Sequence, residues 1–337
     1  MTESKPPESG NLGIEVLTMG RVGVDIYPEQ VGVPLEDVSS FGKYLGGSAT
    51  NVAVAAGRHG RRSAVITRTG DDPFGRFVHK ALQVYGVDDR FVTPVPGLAT
   101  PVTFCEIFPP DDFPLYFYRL PKAPDLEIRS DELDFDAIRS AGVFWVTVTG
   151  LSDEPSRAAT MAAIEARGRR GVTVLDLDYR PMFWAHPEEA RRYVKEALRH
   201  VSVAIGNREE CEVAVDETDP HRAAQALLDL GVELAVVKQG PAGVRAERRR
   251  PGADQSEDEE VVSPPVPVEV VNGLGAGDAF GGALCHGLLA GWGLERMLHF
   301  ANAAGAIVAS RLSCSDAMPT SSEVEQLIAE REVGVDA

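Results

Sequence analysis

Short apolar runs alternate with helical stretches along the second half of the chain, and this rhythm limits the fold more than any other feature. The runs at 143–148, 172–177, 201–205 and 234–238 are too short for helices and too uniformly apolar for strands with one wet face. They suit strands buried on both faces. Helical stretches at 156–169, 187–199 and 220–230 separate them. Parallel strands require crossovers of this kind, so the expected fold class is α/β, with a doubly wound, mostly parallel sheet flanked by helices. Residues 12–19 and 63–69 read as further strands, 52–59 and 75–85 as helices, and helices at 278–291, 294–311 and 320–331 close the domain.

One stretch breaks the rhythm. Residues 91–118 are extended and punctuated by proline, which reads as a small sheet reaching out from the main body. The charged segment at about 246–261 reads as an exposed loop or hairpin tip, the polar residues 1–11 as a disordered leader, and 332–337 as a tail. A single domain is expected over 12–331.

A net charge of −18 argues against nucleic acid or an anionic membrane surface as partner, because phosphates would be repelled. An anionic nucleotide would have to be held locally, by backbone N–H groups, a few cations and a metal ion. Four scattered cysteines without C-x-x-C spacing disfavour zinc and disulfides and fit a cytoplasmic location.

The most informative motif lies at 271–289. Gly275-Ala276-Gly277-Asp278 opens a run with helical spacing (Phe280, Ala283, Leu284, Gly287, Leu288). Unpaired amides and the helix dipole at such a start favour a phosphate, and the small residues allow close approach. A carboxylate beside a phosphate is unfavourable unless it does chemistry, such as accepting a proton from an attacking hydroxyl. Other motifs also follow strand ends, where open parallel sheets bind ligands: Asp25, 176–180, 207–210 and Gly240.

Gly46-Gly47-Ser48-Ala49-Thr50-Asn51 before an alanine-rich helix, together with Gly275-Ala276-Gly277-Asp278-Ala279-Phe280, resembles the two signatures of the ribokinase-like (PfkB) carbohydrate kinases. The resemblance runs over about 12–320. It implies a ribokinase-like domain with a β-sheet lid over the sugar, supplied by segments at about 20–45 and 91–120. It also implies transfer of a phosphoryl group from ATP, with Mg²⁺, to a sugar-like primary hydroxyl. Asp278 would be the general base and Gly275, Ala276 and Gly277 the anion hole. Asp25, Gly46, Gly47 and Asn51 would hold sugar hydroxyls. Asn207, Lys238, Gly240, Gly243 and Asn302 would lie at the nucleotide, and Glu210 would serve the metal ion through water. The residues alone leave a bland alternative at 207–210, a capped helix start, and another at Asn302, a structural side chain. Where many family members have Asp-Thr before the Gly-rich box, this chain has Asn272-Gly273, which removes a carboxylate and a hydroxyl and puts activation by a monovalent cation in doubt, with backbone carbonyls left as the other way to bind one.

Substrate choice turns on cations. Tyr118 and Arg119 follow one another on an expected lid strand, and Arg180 follows a core strand. A neutral hexose needs no cation, whereas two guanidinium groups and a tyrosine hydroxyl at one end of a pocket suit a carboxylate. The stretches 109–125, 175–184 and 311–320 are similar to the branch of the family that phosphorylates the 6-hydroxyl of 5-dehydro-2-deoxy-D-gluconate, in inositol catabolism. The alternatives are 2-keto-3-deoxygluconate as substrate, another sugar of the family, or a non-catalytic sensor on the same fold. The resemblance also implies a homodimer through the lid.

Overall fold

The computed structural model describes residues 13–250, 252 and 258–335. The expected leader at 1–11 therefore lies outside the described residues, as do 251 and 253–257 of the expected loop. In chain order the strands are β1 (Val16–Met19), β2 (Gly23–Pro28), β3 (Phe41–Gly46), β4 (Ser63–Gly70), β5 (Val92–Val95), β6 (Val102–Cys105), β7 (Leu115–Tyr118), β8 (Val143–Thr147), β9 (Val172–Asp176), β10 (Val203–Asn207), β11 (Leu234–Lys238), β12 (Val244–Arg248) and β13 (Glu259–Ser263). The helices are α1 (Ser48–Arg58), α2 (Pro73–Val84), α3 (Phe135–Ser140), α4 (Ser156–Arg167), α5 (Pro187–Leu198), α6 (Arg208–Val215), α7 (Pro220–Asp229), α8 (Ala276–Leu289), α9 (Leu294–Ala309) and α10 (Ser321–Val335).

Nine strands form one sheet in the order β13-β12-β11-β10-β9-β8-β1-β4-β5. From β11 to β5 every pairing is parallel, and β12 and β13 add an antiparallel edge. Strand β8 shows why its sequence is apolar throughout. Phe144 and Val146 enter the core beneath α3–α7, while Val143 and Trp145 enter the opposite core beneath α1, α8, α9 and α10. Period-two alternation delivers side chains to two buried faces. The expected doubly wound sheet is what forms.

A second sheet, β3-β2-β6-β7, stands apart from the first. The proline-rich segment divides between the two sheets, contrary to the expectation that all of 91–120 serves the lid. Strand β5 runs parallel to β4 as the outermost strand of the large sheet, where Pro94 leaves no interior ladder bond unmade. Only β6 and β7 join β2 and β3. The loop expected over 246–261 is strand at both ends, with β12 and β13 paired antiparallel. Helix α10 runs to Val335, past the expected boundary at 331, because no proline intervenes. No described helix is long and apolar enough to cross a membrane.

Two helices carry the signature motifs, and they pack unusually closely. A Cβ added to Gly282 of α8 would lie 2.3 Å from Ala55 Cβ and 2.8 Å from Ala56 N in α1. Alanine gains about 1 kcal/mol over glycine in a helix interior. Here the obstruction includes backbone, which cannot swing aside, and overpacking costs about 1–3 kcal/mol. Gly282→Ala is therefore expected to lower stability in urea unfolding; a stabilised variant would show that the helices can separate at no cost.

Candidate active site

The start of α8 and the start of α1 meet beyond the carboxyl ends of the strands. Gly275 caps α8 at φ +82°, a conformation that L side chains rarely adopt, and a Cβ there would lie only 2.7 Å from Cys314 Sγ. No side chain caps this helix, so its first amides have no acceptor from the helix or from a cap. Lys238, at the end of β11, points its ammonium over them: Nζ lies 3.2 Å from where a Gly277 Cβ would be. Burial opposes its charge, but Asp176, Glu210, Asp278 and Asp178 outweigh burial and raise its pKa. The result is a cationic group above a cradle of N–H donors.

Asp278 lies in the first turn of α8, half-buried. Its Oδ2 accepts from Asn51 Nδ2 at 2.8 Å, joining the two signature motifs. Asn51 is oriented in turn by Ser315, whose hydroxyl proton is shared between Asn51 Oδ1 and Leu45 O, each 2.7 Å away. Burial pushes the Asp278 carboxyl up to about 6, against the Asn51 hydrogen bond and the charges of Arg21 and Lys238. It is thus an anion at neutral pH, but a basic one.

Asp25, on β2, is the second isolated acid. A Cβ on Gly46 would fall 2.2 Å from its carboxyl carbon, so only glycine fits beneath it. Gly47 caps α1 at φ +104°, where a Cβ would strike Arg21 O at 2.4 Å. The Gly-Gly pair therefore seats an acid and turns the chain. Tyr27 donates to Asp25 Oδ2 at 3.0 Å, and Cys314 Sγ lies 2.8 Å from the same hydroxyl. Burial raises Asp25 to about 6.

A third group of charges follows β9. Asp178 accepts from Ser48 Oγ at 2.6 Å and pairs with Arg180 at 2.7 Å, and the Arg21 charge stands 3.8 Å away without a hydrogen bond. Burial works against its charge, yet these partners hold its pKa below the usual range. Asp176 has only the Lys238 charge to offset its burial and the neighbouring carboxylates, and burial lifts it well above that range. Glu210 and Asn207 complete a reciprocal cap on α6, at 2.7 and 2.8 Å, so the bland reading of 207–210 is realised. The other oxygen of Glu210 lies 3.7 Å from Arg180. Among the described residues, no three of Asp176, Asp178, Glu210 and Asp278 bring carboxylate oxygens within 4.8 Å of one another. These hard donors fit an ion that keeps its waters, as Mg²⁺ does, rather than a dehydrated ion in a direct cage. His221, Glu247 and Glu260 do approach that closely, but Arg245 already bridges Glu247 and Glu260 at 3.2 and 2.6 Å.

A cavity of about 600 Å³ opens beside the α8 start. Lys238, Gly240, Gly243, Ala276, Gly277 and Asn302 line it, with Val244, Val266, Phe280 and Ala306 making most of it apolar. The nucleotide-side residues expected from the sequence thus share one pocket, save Asn207. Asn302 gives its amide to Ser263 and Pro264, tying α9 to the end of β13, so its structural alternative is also realised. Asn272 is spent likewise, on Leu312 O at 2.7 Å and Leu274 N at 3.0 Å.

The sugar-side expectation needs correction at Tyr118. Alternation along β7 puts Phe117 and Arg119 on the inward face and Tyr118 on the outward one, where it is 64% exposed and packs on Phe104. Its hydroxyl does not join the arginines. Arg119 is buried against Asp125 at 2.7 Å and lies over the Phe183 ring at 4.9 Å. Arg119 and Arg180 occupy one wall, but each is already matched by carboxylate. Arg21 was missed in the sequence. It follows β1 at the carboxyl edge of the sheet, and position relative to that edge was the available signal.

The profile of a family described as pfkB family carbohydrate kinase matches residues 14–321. The chain is 34% identical over 321 residues to the 5-dehydro-2-deoxygluconokinase of Geobacillus thermodenitrificans, covering 94% of this chain and 93% of that protein. It is also 34% identical to the protein of the same name from Photobacterium profundum, covering 95% and 96%. Among solved structures it is similar to a putative ribokinase II from E. coli in complex with ATP and Mg²⁺, with TM-score 0.82, 25% identity, and coverage of 94% and 99%.

Removing the Asp278 charge tests the electrostatics of this site. Asn at 278 still accepts from Asn51. A carboxyl raised to about 6 in the fold destabilises it progressively as pH rises from the unfolded value, 3.8, through 6. The Tm of Asp278→Asn relative to the natural protein should therefore rise between pH 4 and 7 and level off above; a pH-independent difference would refute the strain.

Proposed function

The chain belongs to the pfkB family of carbohydrate kinases, and within it we propose an ATP-dependent kinase for the 6-hydroxyl of 5-dehydro-2-deoxy-D-gluconate. It is an enzyme with a ribokinase-like fold. The observation that carries the phosphoryl-transfer chemistry is the shared helix start: Asp278, the open amides after Gly275 and the Lys238 ammonium converge there. The choice of acid is supported by the curated relatives, which match along nearly the whole chain, and by arginines beside the lid.

In this reading the sugar lies between the lid and the α1 start, with Asp25, Asn51 and the backbone of Gly46 and Gly47 holding its hydroxyls. Asp278 accepts the proton of O6 as that oxygen bonds the γ-phosphorus and the bond to the ADP oxygen breaks. Charge spread over the transferring group is met by the amides of Gly275, Ala276 and Gly277 and by Lys238, all in place beforehand. Bound near Asn207 and Glu210 through water, Mg²⁺ would neutralise phosphate charge. Asn302, Gly240 and Gly243 border the nucleotide. Asn272, already committed to the protein, argues against a monovalent-cation site formed by its side chain. Four free cysteines support a cytoplasmic location. The outward lid face, with Phe41, Phe104 and Tyr118 stacked edge to face, supports a homodimer through this sheet.

Asp278→Asn is expected to lower kcat by about 10²–10⁴-fold while ATP binding by calorimetry stays intact. The natural enzyme should lose kcat below about pH 6 as Asp278 protonates. In a panel of 5-dehydro-2-deoxy-D-gluconate, 2-keto-3-deoxygluconate, fructose and ribose, the first should give the highest kcat/KM. Preference for a neutral sugar would overturn the sugar-acid reading, and unchanged turnover by the Asn variant would remove Asp278 from the mechanism.

A further inference from the structure

The Arg21 guanidinium donates no hydrogen bond among the described residues, although its side chain is only 10% exposed. Its Nε is closed to solvent and has no partner. The nearest carboxylate oxygen, Asp178 Oδ2, is 3.8 Å away, beyond hydrogen-bond reach, and already takes the Ser48 proton. The other two arginines of this wall are committed, Arg119 to Asp125 and Arg180 to Asp178, each at 2.7 Å. A buried donor without an acceptor costs as much as a broken hydrogen bond, so its presence calls for an acceptor that arrives from outside.

Placement narrows what that acceptor can be. Arg21 leaves the carboxyl end of β1 and lies 5.3 Å over the ring of Phe117, on the inward face of the lid. It therefore bridges the core and the lid sheet, on the sugar side of the site. Its charge also reaches the carboxyls of Asp25 and Asp278. An anionic ligand entering among Asp25, Asp178 and Asp278 meets repulsion unless a cation with free donors faces it. Arg180 Nε is also buried without a partner, but of the three arginines only Arg21 makes no hydrogen bond from any side-chain nitrogen among the described residues.

We propose that Arg21 is the specificity-determining residue that reads the carboxylate of the sugar acid, pairing with it in a fork through its two Nη groups. The inference rests on the sugar-acid reading above. Arg119 and Arg180 then act as positioning residues, holding Phe183 and Asp178 against the same wall. A free anion-binding guanidinium here could also meet the transferring phosphoryl group, and kinetics separates the two sources. Contact with the carboxylate is made equally in ground and transition states and appears in KM, whereas contact with the transferring group appears in kcat.

The test is steady-state kinetics with 5-dehydro-2-deoxy-D-gluconate at saturating ATP and Mg²⁺ for the natural enzyme, Arg21→Gln and Arg21→Lys, with ATP affinity by calorimetry as the control for folding. Arg21→Gln should raise KM about 100-fold with kcat at saturation within about threefold. Arg21→Lys should recover about tenfold of that loss, keeping the charge but not the fork. A fall in kcat at unchanged KM would assign Arg21 to the phosphoryl group and overturn the proposal, as would no change in either. If the Gln variant fails to bind ATP, the Lys variant decides by the same split. A natural enzyme inactive on every sugar acid refutes the substrate reading; an active one whose KM ignores residue 21 refutes this inference alone.

Discussion

The hydrogen bond from Asn51 to Asp278 is the contact on which the site depends. Its two residues lie far apart in the chain, at the first turns of two helices that cross almost backbone to backbone. Gly282 makes that approach feasible by having no side chain, and Ala55 opposite it by having only a methyl group. Ser315 then fixes the Asn51 amide, so the nitrogen and not the oxygen faces the carboxylate. Each motif by itself is a glycine turn at a helix start. Joined, they orient a basic carboxylate beside open amides, and the tight packing of α1 on α8 keeps it there.

Charge is distributed unevenly around this contact. Carboxylates outnumber the cations near them, and burial makes them compete for those cations. Asp178 takes most of the compensation, from Arg180, Arg21 and Ser48, and stays ionised. Asp176, with less help, is driven toward its neutral form, while Asp25 and Asp278 sit near 6. Lys238 stays charged because this acidic surplus surrounds it. A surplus of that kind destabilises the empty protein and suits a site awaiting cations and hydroxyl protons.

The lid is linked to this centre by side chains and a loop, and it shares no sheet with the core. Asp25 hangs from β2 over Gly46, Tyr27 and Cys314 meet beneath it, and Phe117 lies under Arg21. At the far end, Pro110 and Asp111 of the β6–β7 connection border the cavity beside the α8 start. One small sheet therefore touches both halves of the site.

Much of this was legible in the residues. Uniform apolar runs spaced by helices admit few arrangements other than a parallel sheet covered on both sides. A Gly-rich box opening a helix marks an anion site because helix ends always leave amides unmade. The bland alternatives at 207–210 and at Asn302 were visible too, and both are realised. The sequence could not separate β5 from the lid, since an edge strand of a parallel sheet and a lid strand tolerate proline equally well. Nor could it place Tyr118, whose side is set by one step of pleat register, or show that Asp125 neutralises Arg119. Local pattern determined which elements form and where backbone donors are exposed, because those follow from period and from missing side chains. Only the tertiary structure decided which charges cancel and which remain free, because pairing among buried ions depends on distances between residues remote in the chain.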